Sequence, residues 1–456
     1  MDFEKIFIKC ENLVAKGKPD LALKKVQSII NKAPRYPRIF QFGAKYAALL
    51  KKNKLAEEYY LFAIKHDNQN PNCYLNFGSF LQKRKKHLEA EKNFKIAYEL
   101  DPYSVSIIAA FSLCLYILNK INKSKEMALK AYQYDPRSVL VNFLLSITYM
   151  RLENYSKAWE FFEIRNKQFE NINERFGTNI FPLSNKWEGE DLSNKKLIIL
   201  TEQGFGDFIM FFRFVMEIKQ RFPSAKVGVV VEPELLRIFE ETYKNIDFFS
   251  TNQALEEIAI DADFWVSLLS TPFVLKVDKV SCSKFPYLSC RVNKNIPSDF
   301  ISKNKPNIGL VWKGNPHHAN DIFRSVESAD IIKQELEDKK YNFISLQFDV
   351  NDDDLETIDG FALNSKQYIS DFYDTAGIIS ELDLIISVDT SIVHLSGALN
   401  IPTWILLPAF DIDWRWPYKK NSSDWYPSAK IFVNDNNNWP ELLSRVKKEL
   451  DLVYSL

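Results

Sequence analysis

The sequence lacks any bias of charge. Lysine plus arginine and aspartate plus glutamate each number 59 in 456 residues, and the pI is about 7.0. A nucleic-acid binder carries a basic stripe that such a balance does not supply, so no nucleic-acid partner is expected. A membrane-length apolar run is also missing: the longest, Ile107 to Leu118 and Val139 to Met150, reach about twelve residues where a bilayer needs about 20. They read as buried helices, and no transmembrane segment is expected. The opening MDFEKIFIKCEN has two acids in its first four residues and no apolar core, so no secretory signal is expected and the chain reads as cytoplasmic. Nor is there a CxxC pair. Cys10, Cys73, Cys114, Cys282 and Cys290 are odd in number and scattered, which argues against a disulfide framework or a zinc site. At this length, with 46% hydrophobic residues, two to four domains are expected.

What the sequence does have is a period. Small residues recur every 34 positions at Ala22, Ala56, Ala90, Ser124 and Ala158. Four positions on come Val26, Tyr60, Phe94, Ala128 and Phe162; seven on come Ile29, Ala63, Ala97 and Ala131. Helix stops follow at Pro34, Asn68 with Pro71, Pro102 and Pro136. This is the tetratricopeptide period: helix pairs that cannot bury their apolar faces alone and stack into a solenoid. Five units over about residues 3–172 are expected. The last lacks its proline and has Arg165 where the others have a small or apolar residue.

The first helix of each unit should line the concave side. In units two and three that side is polar, with Arg38, Gln41, Lys45, Asn72, Ser79, Gln82 and Lys83; in units four and five it is apolar, with Ala109, Leu113, Tyr116, Ile117, Leu140, Phe143, Ile147 and Met150. Two readings stand for the apolar part. Either it docks on the second half of the chain or grips an apolar segment, or the helix phase is off by one and these are core residues. Arg38, Lys45, Asn72, Gln82, Tyr116 and Phe143 are the candidate acceptor-binding residues.

From Lys195 the pattern changes to short apolar strands separated by helices: KKLIIL, then 226–231, 264–268, 307–312, 342–346, 384–388 and 403–407. Alternation of this kind implies parallel sheets covered on both faces. The polar stretch 291–306 reads as a linker between two Rossmann-like halves. The expected division is a solenoid over 1–172, a connector over 173–194, an acceptor-side half over 195–300 and a donor-side half over 301–456.

Ligands of such sheets bind at the carboxyl ends of strands, and three clusters fall there. Gly204 and Gly206 permit a tight turn and a close approach of backbone to a bound donor, and Asp207 follows at a helix start, where the aspartate is either a functional carboxylate or a capping residue. Trp312, Lys313 and Asn315, with Arg324 nearby, either neutralise a diphosphate or are solvated loop charges. His317 and His318 have no third ligand at motif spacing, so no metal is expected. The segment from Ser387 through Asp389, Thr390 and Ser391 to His394 offers hydroxyls and amides to phosphate or sugar oxygens.

Gly206-Asp207, the run SVDTSIVHLSGAL and the spacing between them resemble the ADP-heptose lipopolysaccharide heptosyltransferase family, over about residues 195–410. The downstream DWRW and DWYP runs and the KGNPxHxND segment resemble tetratricopeptide-repeat glycosyltransferases of bacteria. The resemblance implies a GT-B fold of two Rossmann halves and inverting, metal-independent transfer from a nucleotide-sugar, which is a substrate, so that no cofactor is needed. It implies Asp207 as general base and Asp389, Thr390, Ser391 and His394 as donor-binding residues. Trp312, Trp414 and Trp416 either stack on the ligand or belong to the core. The short first half and the attached solenoid point to a protein acceptor, flagellin or another surface protein. Two rivals stand beside this: a transferase acting on a glycan or lipid of surface polysaccharide synthesis, and a non-catalytic repeat adaptor with a relict transferase domain.

Overall fold

The computed structural model describes residues 3–30, 36–167, 185–253, 261–280, 285–293, 295–318, 320–349 and 352–454. Pro34, Cys282 and residues 173–184 of the expected connector lie outside them. The chain divides into two compact units, Met1–Thr148 and Tyr149–Leu456. The division falls inside the fifth repeat, not after it at residue 172.

The repeats form helix pairs: α1 (Phe3–Ala15) with α2 (Pro19–Ile30), α3 (Pro37–Leu49) with α4 (Asn53–His66), α5 (Pro71–Lys83) with α6 (His87–Leu100), α7 (Val105–Ile117) with α8 (Ile121–Tyr134), and α9 (Val139–Arg151) followed by α10 (Tyr155–Phe162). The recurring small residues are the reason the pairs close. Ala22, Ala56, Ala90, Ser124 and Ala158 are all fully buried, so anything larger there would push helices apart. Pro102 and Pro136 follow helix ends, whereas Pro71 opens α5, where proline's missing N–H costs nothing.

A second 34-residue signal lies in the backbone. Gly17, Lys51, Lys85, Asn119 and Glu153 all have left-handed φ, between 56° and 71°. Each ends the first helix of its pair, and the next N–H reaches back to a helix carbonyl, as from Lys52 to Ala47 at 2.9 Å and from Lys86 to Leu81 at 2.9 Å. Glycine is the usual residue at such a stop, but here only the first repeat uses it.

The second unit holds two parallel sheets. The first has five strands in the order β1-β5-β2-β3-β4, from β1 (Asn185–Lys186), β2 (Lys196–Leu200), β3 (Lys226–Val231), β4 (Asp247–Ser250) and β5 (Phe264–Ser267). The second has six in the order β11-β10-β9-β6-β7-β8, from β6 (Asn307–Val311), β7 (Asn342–Ser345), β8 (Ala362–Asn364), β9 (Leu384–Val388), β10 (Thr403–Leu407) and β11 (Ala429–Val433). Counted from β6, the second sheet reads 3-2-1-4-5-6, the Rossmann order. The first reads 3-2-1-4 from β2, with β1 added at the edge. β1 lies within the expected connector, so the first sheet begins earlier than residue 195.

The helices of eight or more residues that cover these sheets are α11 (Phe205–Arg221), α12 (Pro233–Thr242), α13 (Ala329–Leu336), α14 (Phe372–Ile379), α15 (Ser391–Ala398) and α16 (Trp439–Val453). On one face of the second sheet, Ile332 and Leu336 of α13 and Leu442, Leu443 and Val446 of α16 pack with Ile308, Leu310 and Ile386. The fifth repeat is part of this unit. Trp159 of α10, 1% exposed, meets Phe211 of α11 edge to face at 5.8 Å and Trp425 at 6.4 Å. Of the apolar concave positions, Ala109, Tyr116, Ile117, Ile147 and Met150 are buried, whereas Leu140 and Phe143 are exposed.

Candidate functional site

In an order of 3-2-1-4-5-6 the chain leaves strand 1 in one direction and returns beside it as strand 4, so the loops after those two strands part and leave a crevice. Here the strands are β6 and β9. The loop after β6 holds Lys313, Gly314 and Asn315, and the turn after β9 holds Thr390 and Ser391. All five line one cavity of about 380 Å³. Thr390 is the N-cap of α15, so the unpaired N–H groups of that helix start open at the cavity. Phe205 and Glu234, at the starts of α11 and α12, bring the other half to the same cavity.

The loop after β6 is held in place by side chains. Gln347 accepts from Lys313 N–H at 2.9 Å and donates to Lys313 C=O at 3.0 Å; Ser325 Oγ accepts from Gly314 N–H at 2.9 Å. Lys313 is ion-paired with Asp354, and Arg324 Nε lies 3.3 Å from Asp321 Oδ1. Both cations expected to meet a diphosphate therefore already have acidic partners. Trp312 is 1% exposed and packs in the sheet core, and Trp416 is fully buried, so neither offers a face to a ligand. Phe348 does: it lines the cavity just beyond β7 and is 53% exposed. Asp349 follows it in the loop beyond β7 and lines the same cavity. No motif marks Phe348 or Asp349 in the sequence; the strand order alone singles them out.

Asp207 and Asp389 lie outside the lining of that cavity. Asp207 sits in the first turn of α11, as expected, and is ion-paired with Arg415. Arg415 also binds Asp413 at 2.7 Å. Asp389 is buried, its carbonyl accepting from Arg324 Nη1 at 3.1 Å; burial pushes its carboxyl up while Arg324 pulls it down. Burial and neighbouring Asp389 push Asp413 up to about 8. Among the described residues no group of His, Cys, Asp and Glu is arranged to hold a metal ion.

The two glycines work differently from a phosphate-cradling turn. Gly204 caps α11 with an ordinary φ of −73°. At Gly206 a Cβ would lie 2.6 Å from Cδ2 of His394, so glycine is needed for α11 to meet α15. His394 is accordingly in the core, not at a ligand. It is 4% exposed, with Nδ1 3.0 Å from the Tyr426 hydroxyl and its ring stacked on Trp416.

Burial, with Arg213 nearby, pushes His394 down to about 3 from 6.5. In the unfolded chain the ring protonates near 6.5, so between these values only the unfolded state takes up the proton. Its contribution is intact above pH 6.5 and falls by ~1.4 kcal/mol per pH unit below it. Urea unfolding should therefore show the stability gap between wild type and His394→Gln narrowing from pH 7.5 to pH 5. A gap independent of pH would contradict this.

The first sheet has its own crevice, after β2 and β5, and protein fills it. Glu202, just beyond β2, takes two bonds from Arg165, Nε at 3.1 Å and Nη2 at 2.8 Å, and one from Leu269 N–H at 3.2 Å. Arg165 also meets Ser270 and Glu163, each at 2.8 Å.

In the first unit, Arg38, Lys45 and Asn72 line a groove of about 710 Å³ together with Gln41, Ser79 and Lys83. Arg38 is paired with Glu4, and Lys45 with Glu11 at 2.7 Å. Gln82, buried Tyr116 and exposed Phe143 are not part of that lining.

No family model matches this sequence. Protein FlbA of Caulobacter vibrioides is 23% identical over 295 residues, covering 58% of this chain and 48% of that protein. The chain thus spans about half the length of the curated relative it matches. Among solved structures it is similar to YrrB, described as a TPR protein with an unusual peptide-binding site, at 17% identity over 34% of this chain and 80% of that one, with a TM-score of 0.29. It is similar to PilF of Pseudomonas aeruginosa at 18% identity over 40% and 79%, TM-score 0.34, and to TTC0263, a thermophilic TPR protein of Thermus thermophilus, at 14% over 38% and 96%, TM-score 0.33. Among the described residues no helix is long and apolar enough to cross a membrane.

Proposed function

We propose that the chain is an inverting, metal-independent glycosyltransferase of GT-B type that moves a sugar from a nucleotide-sugar to a hydroxyl of a protein acceptor held by the repeats. One observation carries the reading: the cavity at the β6/β9 crevice is shared with the first half through Phe205, two residues before Asp207. In this reading the donor's diphosphate lies against the amides opening α15 and the Thr390 and Ser391 hydroxyls, its base on Phe348 and its ribose hydroxyls at Asp349. Because Lys313 and Arg324 are already paired, the helix amides carry the larger share of the leaving charge. Asp207 takes the proton of the acceptor hydroxyl as that oxygen attacks the anomeric carbon opposite the diphosphate. The sugar–phosphate C–O bond breaks, and its electron pair leaves with the nucleotide. A free aspartate, with a pKa of about 3.9, is a weak base, so its contribution is chiefly one of position. The groove of the first unit is the proposed seat for flagellin or another surface protein.

Titration with ADP, GDP, UDP and CDP should find one that binds, and the double variant Thr390→Val, Ser391→Ala should weaken it about tenfold or more. Intact-mass spectrometry of flagellin co-expressed with the chain should show the mass of an added sugar. If no nucleotide binds and no surface protein tested gains mass, the reading fails. The paired state of Asp207, Lys313 and Arg324 favours a second reading, the non-catalytic adaptor, in which the surface protein binds but no nucleotide does.

A further inference from the structure

Asp207 and the loop after β10 come from different halves of the second unit, and one guanidinium joins them. Arg415 binds Asp207 Oδ1 through Nη2. It binds Asp413 Oδ1 through Nη1 at 2.7 Å, and its backbone N–H donates to the same oxygen at 2.9 Å. The guanidinium lies over the Trp414 ring, 4.2 Å from its centroid, and Trp414 packs on Phe162, Phe211 and Trp425. The side chain is 11% exposed. An arginine fixed by a carboxylate on one side and an aromatic face on the other does not swing between partners; it holds what it binds.

We infer that Arg415 is a positioning residue for Asp207, keeping its carboxylate ionised with Oδ1 engaged, so that Oδ2 is the oxygen left for an acceptor hydroxyl. The inference rests on the transferase reading above. The charges around the anchoring Asp413 are Asp389, Asp411, Arg151 and Arg415. Burial and Asp389 push the Asp413 carboxyl up, while the Arg415 backbone N–H and Arg151 pull it down. The DWRW run thus supplies an aromatic platform, a cation and the carboxylate that anchors it.

The test needs no substrate. Carbon-13 NMR of protein labelled at aspartate carboxyls, with Asp207→Asn identifying the resonance, follows the titration of Asp207. Arg415→Ala should raise its midpoint by about 1 pH unit or more, the usual reach of a neighbouring cation; Arg415→Lys, which keeps the charge, should hold it. If Arg415→Ala does not fold, Arg415→Gln carries the same expectation. With the donor found by titration, Arg415→Ala should lower kcat about ten- to hundredfold with donor KM within twofold, and the acid limb of the kcat profile should move up with the NMR midpoint. A midpoint that stays put in a folded Arg415→Ala or Arg415→Gln protein overturns the inference whether or not transfer occurs. Wild type that transfers no sugar overturns the transferase reading instead.

Discussion

Arg165→Ala should unfold the second unit at much lower urea, losing ~3–5 kcal/mol. Arg165 is 7% exposed and gives two of its nitrogens to Glu202, itself buried. Removing the guanidinium strands the Glu202 carboxylate in the protein interior beside Glu163, and an orphaned buried charge costs ~3–5 kcal/mol. It also leaves the Ser270 hydroxyl and the Phe162 carbonyl without the donor they now share. The cause can be isolated, because removing the charges together with the arginine should cost far less than removing the arginine alone. The triple variant Arg165→Met, Glu202→Gln, Glu163→Gln is therefore expected to recover at least half of the loss. The readout is selective. All nine tryptophans, from Trp159 to Trp439, lie in the second unit, so tryptophan emission reports its unfolding and not that of the first. A single variant within 1 kcal/mol of wild type would mean that water or another group takes over the role of the arginine.

That same residue marks how far sequence reading reached. The 34-residue period located every repeat, and Arg165 stood out only as a breach of the pattern in the last one. The breach is the attachment point: the arginine leaves the repeat pattern because it reaches Glu202 at the end of β2. A buried charge at a repeat's small or apolar position needs a partner elsewhere in the chain, but periodicity cannot say where.

The strands divide in the same way. All seven read from the sequence are in the sheets, and four were missed: β1, β4, β8 and β11. Those four are the edges of the two sheets. A strand covered on both faces reads as a nearly continuous apolar run, as β6, β9 and β10 do, each with a single polar residue and every residue buried. An edge strand is not so constrained. β4, with the sequence DFFS, has no fully buried residue, and β1 is a two-residue bridge of Asn and Lys. An apolar run finds the first kind and passes over the second.

The candidate site was legible where one strand end supplies the residues, as with Lys313 to Asn315 and with Thr390 and Ser391. It was not legible where the fold brings distant loops together. Arg415 meets Asp207 across 208 positions of chain, and Phe348 and Asp349 reach the cavity only because β7 lies beside β6. His394 illustrates the reverse error. Its ring is spent on closing α15 against Gly206 and Tyr426.

Under the proposed function, Asp207→Asn should lower kcat for sugar transfer by about 10²- to 10⁴-fold, the range typical of a lost general base. The change keeps the side chain's shape and removes only its charge and basicity. Arg415 retains Asp413 as an anion-capable partner, so the loop after β10 stays anchored and global stability should move by no more than ~1 kcal/mol. Nucleotide affinity should stay within twofold of wild type, because Asp207 does not line the cavity assigned to the donor. A large fall in kcat beside unchanged nucleotide binding is what separates a base from a binding residue. Asp207→Glu is the sharper variant. It preserves the charge but moves the carboxylate by one methylene, and if position is the main contribution it should recover little of the rate. Transfer by Asp207→Asn within threefold of wild type would remove Asp207 from the chemistry. Its ion pair with Arg415 would then be only a fastening between the two halves of the second unit.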